Sequence, residues 1–184
     1  MVIIKSRSGV RNWQVYHASI GNTGAVYLNT TSATVTASTN WNNTSPTSSV
    51  VSLGTDGNVN ANTETYVAYC FAAISGYSAF NSYTGNGSTD GPFIYTGFRP
   101  RYIMTKATTV AGEWEIYDTS RSTYNVVTST LEAQSSSAEL NFYSIDILSN
   151  GFKQRQSYNT QNQSGQTYIY MAFAENPFNY SRAR

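Results

Sequence analysis

The chain has 184 residues, of which 40% are hydrophobic, 14% aromatic and only 11% charged, with 15 Tyr and a formal net charge of +1. Charged side chains stand at less than half of the usual share of about 25% in globular domains, which excludes a charged disordered tail and a basic nucleic-acid-binding arm. One Cys and one His exclude a disulfide framework within the chain and leave little material for a metal centre or a catalytic triad.

The start, from Met1 to Ser8, has no basic leader followed by a long apolar stretch, and no later run reaches the roughly 20 apolar residues of a membrane helix. The expectation is a protein made without export processing and without membrane insertion. The first expected strands cover residues 1–5, 13–17, 25–28, 34–38, 50–53 and 65–72, short runs of Val, Ile, Tyr and Thr divided by turns such as Gly21-Asn22 and Asp56-Gly57. Residues 76–100 carry too many apolar and turn signals for a loose linker, so they are expected to supply opening strands, with Gly85-Asn86-Gly87 and Asp90-Gly91 as turns. Later strands are expected at 93–98, 101–106, 113–118, 124–130, 139–147, 152–157 and 166–173. Helical periodicity is weak, and residues 128–140 amount to a turn because Ser135, Ser136 and Ser137 interrupt them. This pattern predicts an all-β fold, an antiparallel β-sandwich or jelly roll whose inward side chains alternate with polar outward ones.

A long internal repeat organises these strands. Lys5, Trp13 and Tyr16 recur as Lys106, Trp114 and Tyr117 at a common offset of 101, and residues 65–72 recur as 167–174 at an offset of 102. Val51 to Gly54 is read as the counterpart of Ile147 to Gly151, with length changes confined to polar connections. A repeat of this length predicts an internally duplicated chain, with a first β module over 1–75, a second over 76–184, and the two packed together. The first module would begin one or two strands late, leaving a sheet edge to be covered by the other module or a neighbouring subunit.

Candidate chemistry is sparse. Cys70 is expected to be a buried small hydrophobe, and His17, replaced by Asp118 in the second half, is not expected to bind metal. Asp90, Asp118 and Asp146 form no dense calcium-type loop, so no metal or cofactor is expected. A paired-carboxylate hydrolase drawing on Glu113, Glu115 or Asp118 is a runner-up. Arg182 and Arg184 read as an exposed tail with too few cations for nucleic acid. Most aromatics are assigned to the core. Trp41, set among polar neighbours, is expected to be exposed, and with Tyr77 and Tyr83 it forms the candidate set for glycan or protein contact.

Several segments carry a family resemblance: Tyr83 to Gly87, Gly97 to Pro100, Ile103 to Lys106, Trp114 to Asp118, Tyr124 to Val127, Leu148 to Phe152 and Thr167 to Pro177, with Lys5, Trp13, Asn29 and residues 65–77 in the first half. Together they resemble the repeated modules of tailed-bacteriophage structural proteins, especially tail-fibre and other virion-surface proteins of marine phages. The resemblance implies a lectin-like or concanavalin-like β-sandwich with no enzymatic activity and no catalytic residue to carry over. It implies a virion protein assembled in the host cytoplasm, with other virion proteins and a host-surface glycan as partners, and a homo-oligomer, with a trimer as the form common among fibres. The alternatives are a capsid or tail decoration protein without receptor binding and, behind it, a polysaccharide-degrading enzyme.

Overall fold

Val, Ile and Tyr at both odd and even positions favour extended backbone and leave little for a helix to bury on one face only. In the computed structural model, which describes residues 1–177, these runs pair as antiparallel strands in two units, Met1–Phe71 and the residues from Ala72 onward. The protein is all-β with several antiparallel sheets.

Unit 1 holds β1 (Val2–Ser6), β2 (Gln14–Tyr16), β3 (Gly24–Tyr27), β4 (Val35–Thr36) and β5 (Tyr66–Cys70), in the order β4-β3-β2-β1-β5. A single helical turn, α1 (Gly57–Asn60), starts where the Asp56 carboxylate accepts the Asn58 N–H at 2.7 Å. Val2, Ile4, Tyr16, Ala25, Ala37, Trp41 and Val59 form its core.

Unit 2 holds β6 (Ser78–Thr84), β7 (Phe93–Tyr95), β8 (Pro100–Ala107), β9 (Trp114–Asp118), β10 (Leu131–Glu132), β11 (Ile145–Leu148), β12 (Gly151–Gln154) and β13 (Thr167–Ala174). Five strands run in the order β10-β9-β8-β13-β6, and a separate three-stranded sheet runs β11-β12-β7. One core joins both sheets: Tyr83, Ile103, Tyr117, Tyr168 and Tyr170 come from the larger, and Ile94, Ile145, Ile147 and Phe152 from the smaller.

The repeated lysines, and Tyr66 and Tyr168 of the second matched segment, make matching bonds. In unit 1, Ile3 lies opposite Val15 and Tyr69, and in unit 2 Met104 lies opposite Ile116 and Met171. Lys5 Nζ donates to the Arg11 carbonyl at 3.0 Å, and Lys106 Nζ to the Gly112 carbonyl at 2.7 Å, each reaching six residues ahead into the turn before the next strand. The Tyr66 hydroxyl accepts the Ala61 N–H and donates to the Gly57 carbonyl; the Tyr168 hydroxyl accepts the Gln163 N–H and donates to the Asn159 carbonyl. These lysines and tyrosines therefore close turns, satisfying backbone groups that the ladders leave free.

Four expectations are corrected. Residues 50–53 form no strand, and 124–130 contribute only isolated bridges at Val127 and Thr130, because polar Ser, Thr and Asn side chains there compete for backbone groups. Burial does not alternate along β13, where Tyr168 to Ala172 are all buried, since apolar side chains occupy both parities and each face gains by leaving water. Cys70 is exposed rather than buried, because β5 is the outermost strand of its sheet. The tail at Arg182 and Arg184 lies outside the described residues.

Gly151 shows how closely the smaller sheet is built: a Cβ added there would lie 2.1 Å from the Ile94 carbonyl oxygen of β7. Gly151→Ala is expected to destabilise unit 2 by about 1–3 kcal/mol. The measurement is a drop in urea midpoint followed by tryptophan fluorescence.

Candidate functional site

The three aromatic candidates fall in different places. Trp41 is fully buried, donates its indole N–H to the Gly24 carbonyl at 3.1 Å and meets Tyr16 edge-on at 5.5 Å, so the expected exposure is corrected. Its polar neighbours Asn42 and Asn43 both take positive φ in a tight turn, while the ring itself packs in the core of unit 1. Tyr77 is half-buried and edge-on to Phe173 at 6.0 Å, and its neighbour Gly76, rather than Tyr77 itself, lines a cleft of about 300 Å³. Charge in that cleft is already committed: Arg99 pairs with Glu175 at 2.8 Å and also donates to the Ile147 carbonyl. Tyr83 is buried, stacked on Tyr168 at 5.1 Å.

Tyr83 belongs to a polar network inside the core of unit 2. Gln154 Nε2 donates to the Tyr83 hydroxyl at 2.8 Å, which donates in turn to the Gln161 carbonyl at 2.9 Å. The Gln161 side chain donates to Glu115 Oε2 and to the Tyr117 hydroxyl, and that hydroxyl donates to Glu115 Oε2 at 2.6 Å. Burial raises the Glu115 carboxyl to about 7, against the pull of these donors, and holds the Tyr83 and Tyr117 phenols well above their usual range. Its counterpart on β2, Gln14, lies directly across from Ile4 just as Glu115 lies across from Thr105. Glu115 and Asp118 differ in parity along β9 and so point to opposite faces, which removes them as a hydrolytic pair. Among the described residues no group of three or more His, Cys, Asp or Glu side chains is placed to hold a metal ion.

The exposed aromatic surface that sequence reasoning missed is a trio at the open end of the β11–β12 hairpin. Leu148 opposite Gly151 sets the closed end, and the ladder extends outward through Arg155 N–H to the Ser144 carbonyl at 3.0 Å. Phe142 and Tyr158 flare beyond it with centroids 4.7 Å apart, and Tyr143 meets them edge-on at 5.2 and 6.0 Å. Phe142 is 53% and Tyr158 40% exposed, while Tyr143 packs partly onto the core, and burial raises its phenol to about 12. One amide lies beside the rings: Gln156 Nε2 donates to the Phe142 carbonyl at 3.3 Å. Buried Asn162 anchors the support, donating to Asn86 Oδ1, the Ser88 carbonyl and the Gln156 carbonyl, while its own Oδ1 accepts the Asn86 N–H. The adjacent Phe142 and Tyr143 were a usable signal, but only the hairpin register brings Tyr158 beside them.

A family model described as "Domain of unknown function (DUF7483)" matches residues 1–177, and the chain belongs to that family. No curated protein and no solved structure matches it.

Two outcomes follow from these side chains. Trp41→Ala is expected to cost about 3–5 kcal/mol in urea unfolding, as for a core ring, where an exposed tryptophan would move the midpoint little. A carboxyl whose folded pKa of about 7 exceeds its reference value of 4.5 keeps its proton longer in the folded state, so Glu115 makes stability fall as pH rises through that window. Glu115→Gln is expected to flatten this decline in a series of urea midpoints between about pH 4 and 8, the range bracketing both pKa values.

Proposed function

We propose that this member of the family is a non-enzymatic structural protein of a tailed-bacteriophage virion, a tail-fibre or host-attachment component that contacts a surface glycan. The single observation supporting attachment is the exposed pair Phe142 and Tyr158, backed by the half-buried Tyr143, with the Gln156 amide beside them. Aromatic faces stack on the C–H faces of sugar rings, and neutral amides replace the hydrogen bonds that sugar hydroxyls give up on leaving water. A surface with few charges suits a neutral, polar ligand.

The modular part of the reading is a duplicated β-sandwich. Its support is the matched register around β1 and β8, together with the paired lysine and tyrosine bonds described above. For unit 2, a shared core between a five-stranded and a three-stranded sheet suits a sandwich. The decoration reading draws on different residues, the exposed Tyr95 and Phe93 of β7, whose rings suit burial against a neighbouring virion protein.

A glycan array and a host-cell binding assay on the full chain test the attachment role. Binding is expected, and Phe142→Ala with Tyr158→Ala is expected to weaken it about tenfold or more, a loss of ~1.4 kcal/mol, with the melting temperature retained. Absence of binding together with specific assembly onto preformed particles would replace attachment by decoration. Release of reducing ends from host polysaccharide would overturn both.

A further inference from the structure

β5 differs from every other sheet edge in the two units. β4 and β10 are two residues long, and β7 has three. β11 carries Asp146 and is bridged by Val127. β6 is longer but guarded, because its Ser82 N–H is taken by the Asn81 side chain at 2.8 Å and its Ser78 N–H by the Ile74 carbonyl at 2.9 Å. β5 has five residues, Tyr66 to Cys70, with none of the charges, prolines or bulges that blunt natural edges. Phe71 N–H bonds the Met1 carbonyl and Arg7 N–H the Thr65 carbonyl, which turns the odd-numbered backbone groups toward β1. Tyr66, Ala68 and Cys70 therefore aim their N–H and C=O groups outward, and no strand meets them among the described residues. At the matching place in unit 2, β13 is covered by β6, with Tyr168 opposite Tyr83, Tyr170 opposite Asn81 and Ala172 opposite Ala79.

We infer that β5 is the strand along which two copies of this chain pair, antiparallel, across a twofold axis at Ala68. The occupant is a second copy because the segment 65–71 carries no charge and so meets itself without like charges in opposition. Its pattern also complements itself. With Ala68 on the axis, Tyr66 faces the smaller Cys70 of the second copy and Val67 faces its Tyr69, an aromatic beside a β-branched residue. Parity agrees: the outward backbone groups of Tyr66, Ala68 and Cys70 meet the same three of the second copy in hydrogen-bonded pairs. An isologous contact of this kind closes at two subunits. It is independent of the glycan-contact reading, whose residues lie in unit 2.

The test uses the full chain. Sedimentation is expected to find a dimer, and Ala68→Lys or Ala68→Glu, exposed on an edge, is expected to raise the dimer Kd at least tenfold by setting like charges face to face. An equimolar mixture of the two variants is expected to restore dimer as a heterodimer, which a folding defect would not do. In Ala68→Cys/Cys70→Ser, mild oxidation is expected to give a disulfide-linked dimer, because the two Cα atoms at the axis come within bonding range. Wild-type Cys70 faces Tyr66 and is expected to give none. A wild-type monomer up to about 1 mM, an affinity near −4 kcal/mol, overturns the inference. So does an assembly that both charge variants leave intact, or a trimer. Glycan binding that survives in Ala68→Lys while the dimer is lost separates this inference from the attachment reading.

Discussion

The register of the lysine-bearing strand between its two neighbours is the constraint on which each unit depends. β1 lies between β2 and β5, and β8 between β9 and β13, so each central strand fixes the facing of both partners at once. A slip of one residue would turn every side chain of a strand to the other face, exchanging Tyr117 and Glu115 for Trp114 and Ile116. Two side-chain bonds oppose that slip in each unit. The lysine ammonium holds the turn leading out of the central strand, and the tyrosine hydroxyl holds the turn leading into the returning one. Both act on backbone groups, so the same device works over different cores.

The two cores spend polarity differently. In unit 2 the buried carboxyl at Glu115 is met by Tyr117 and Gln161, and the network runs on to Tyr83 and Gln154, tying β6, β9 and β12 to the loop before β13. In unit 1 the corresponding position is Gln14, whose amide Nε2 and Oε1 are buried without a hydrogen-bond partner among the described residues. A buried amide left unmet costs about 1–3 kcal/mol, whereas a buried charge costs more and must be neutralised by a proton or by donors. Unit 2 draws on both remedies but meets its network only in part, because Oε1 of Glu115, Gln154 and Gln161 is likewise buried without a hydrogen-bond partner among the described residues.

Much of the fold was legible in the sequence because strand-forming residues act locally. The runs at Val2, Gln14, Tyr66, Trp114 and Thr167 extend where Val, Ile and Tyr accumulate, and the spacing from Lys to Trp has its cause in the turn each lysine closes. The candidate site was less legible. Trp41 reads as exposed from its neighbours, but its ring packs in the core of unit 1. Tyr83 reads as a contact residue, yet its hydroxyl is spent inside the core. The trio at Phe142, Tyr143 and Tyr158 joins segments separated by a hairpin whose pairing no local pattern announces.

By itself the sequence determined an all-β chain and a low-charge composition, since composition and local propensity govern these directly. Only the tertiary structure decided which aromatics face water and which edge stays open. Exposure is a property of what packs above a residue, and an edge is a property of which strand has no neighbour. Among the described residues the edge at β5 has no neighbouring strand, and the same position brings Cys70 to the surface. Pairing between distant segments makes that decision, because the backbone hydrogen bonds that bury or expose a strand are formed between residues that the sequence does not place side by side.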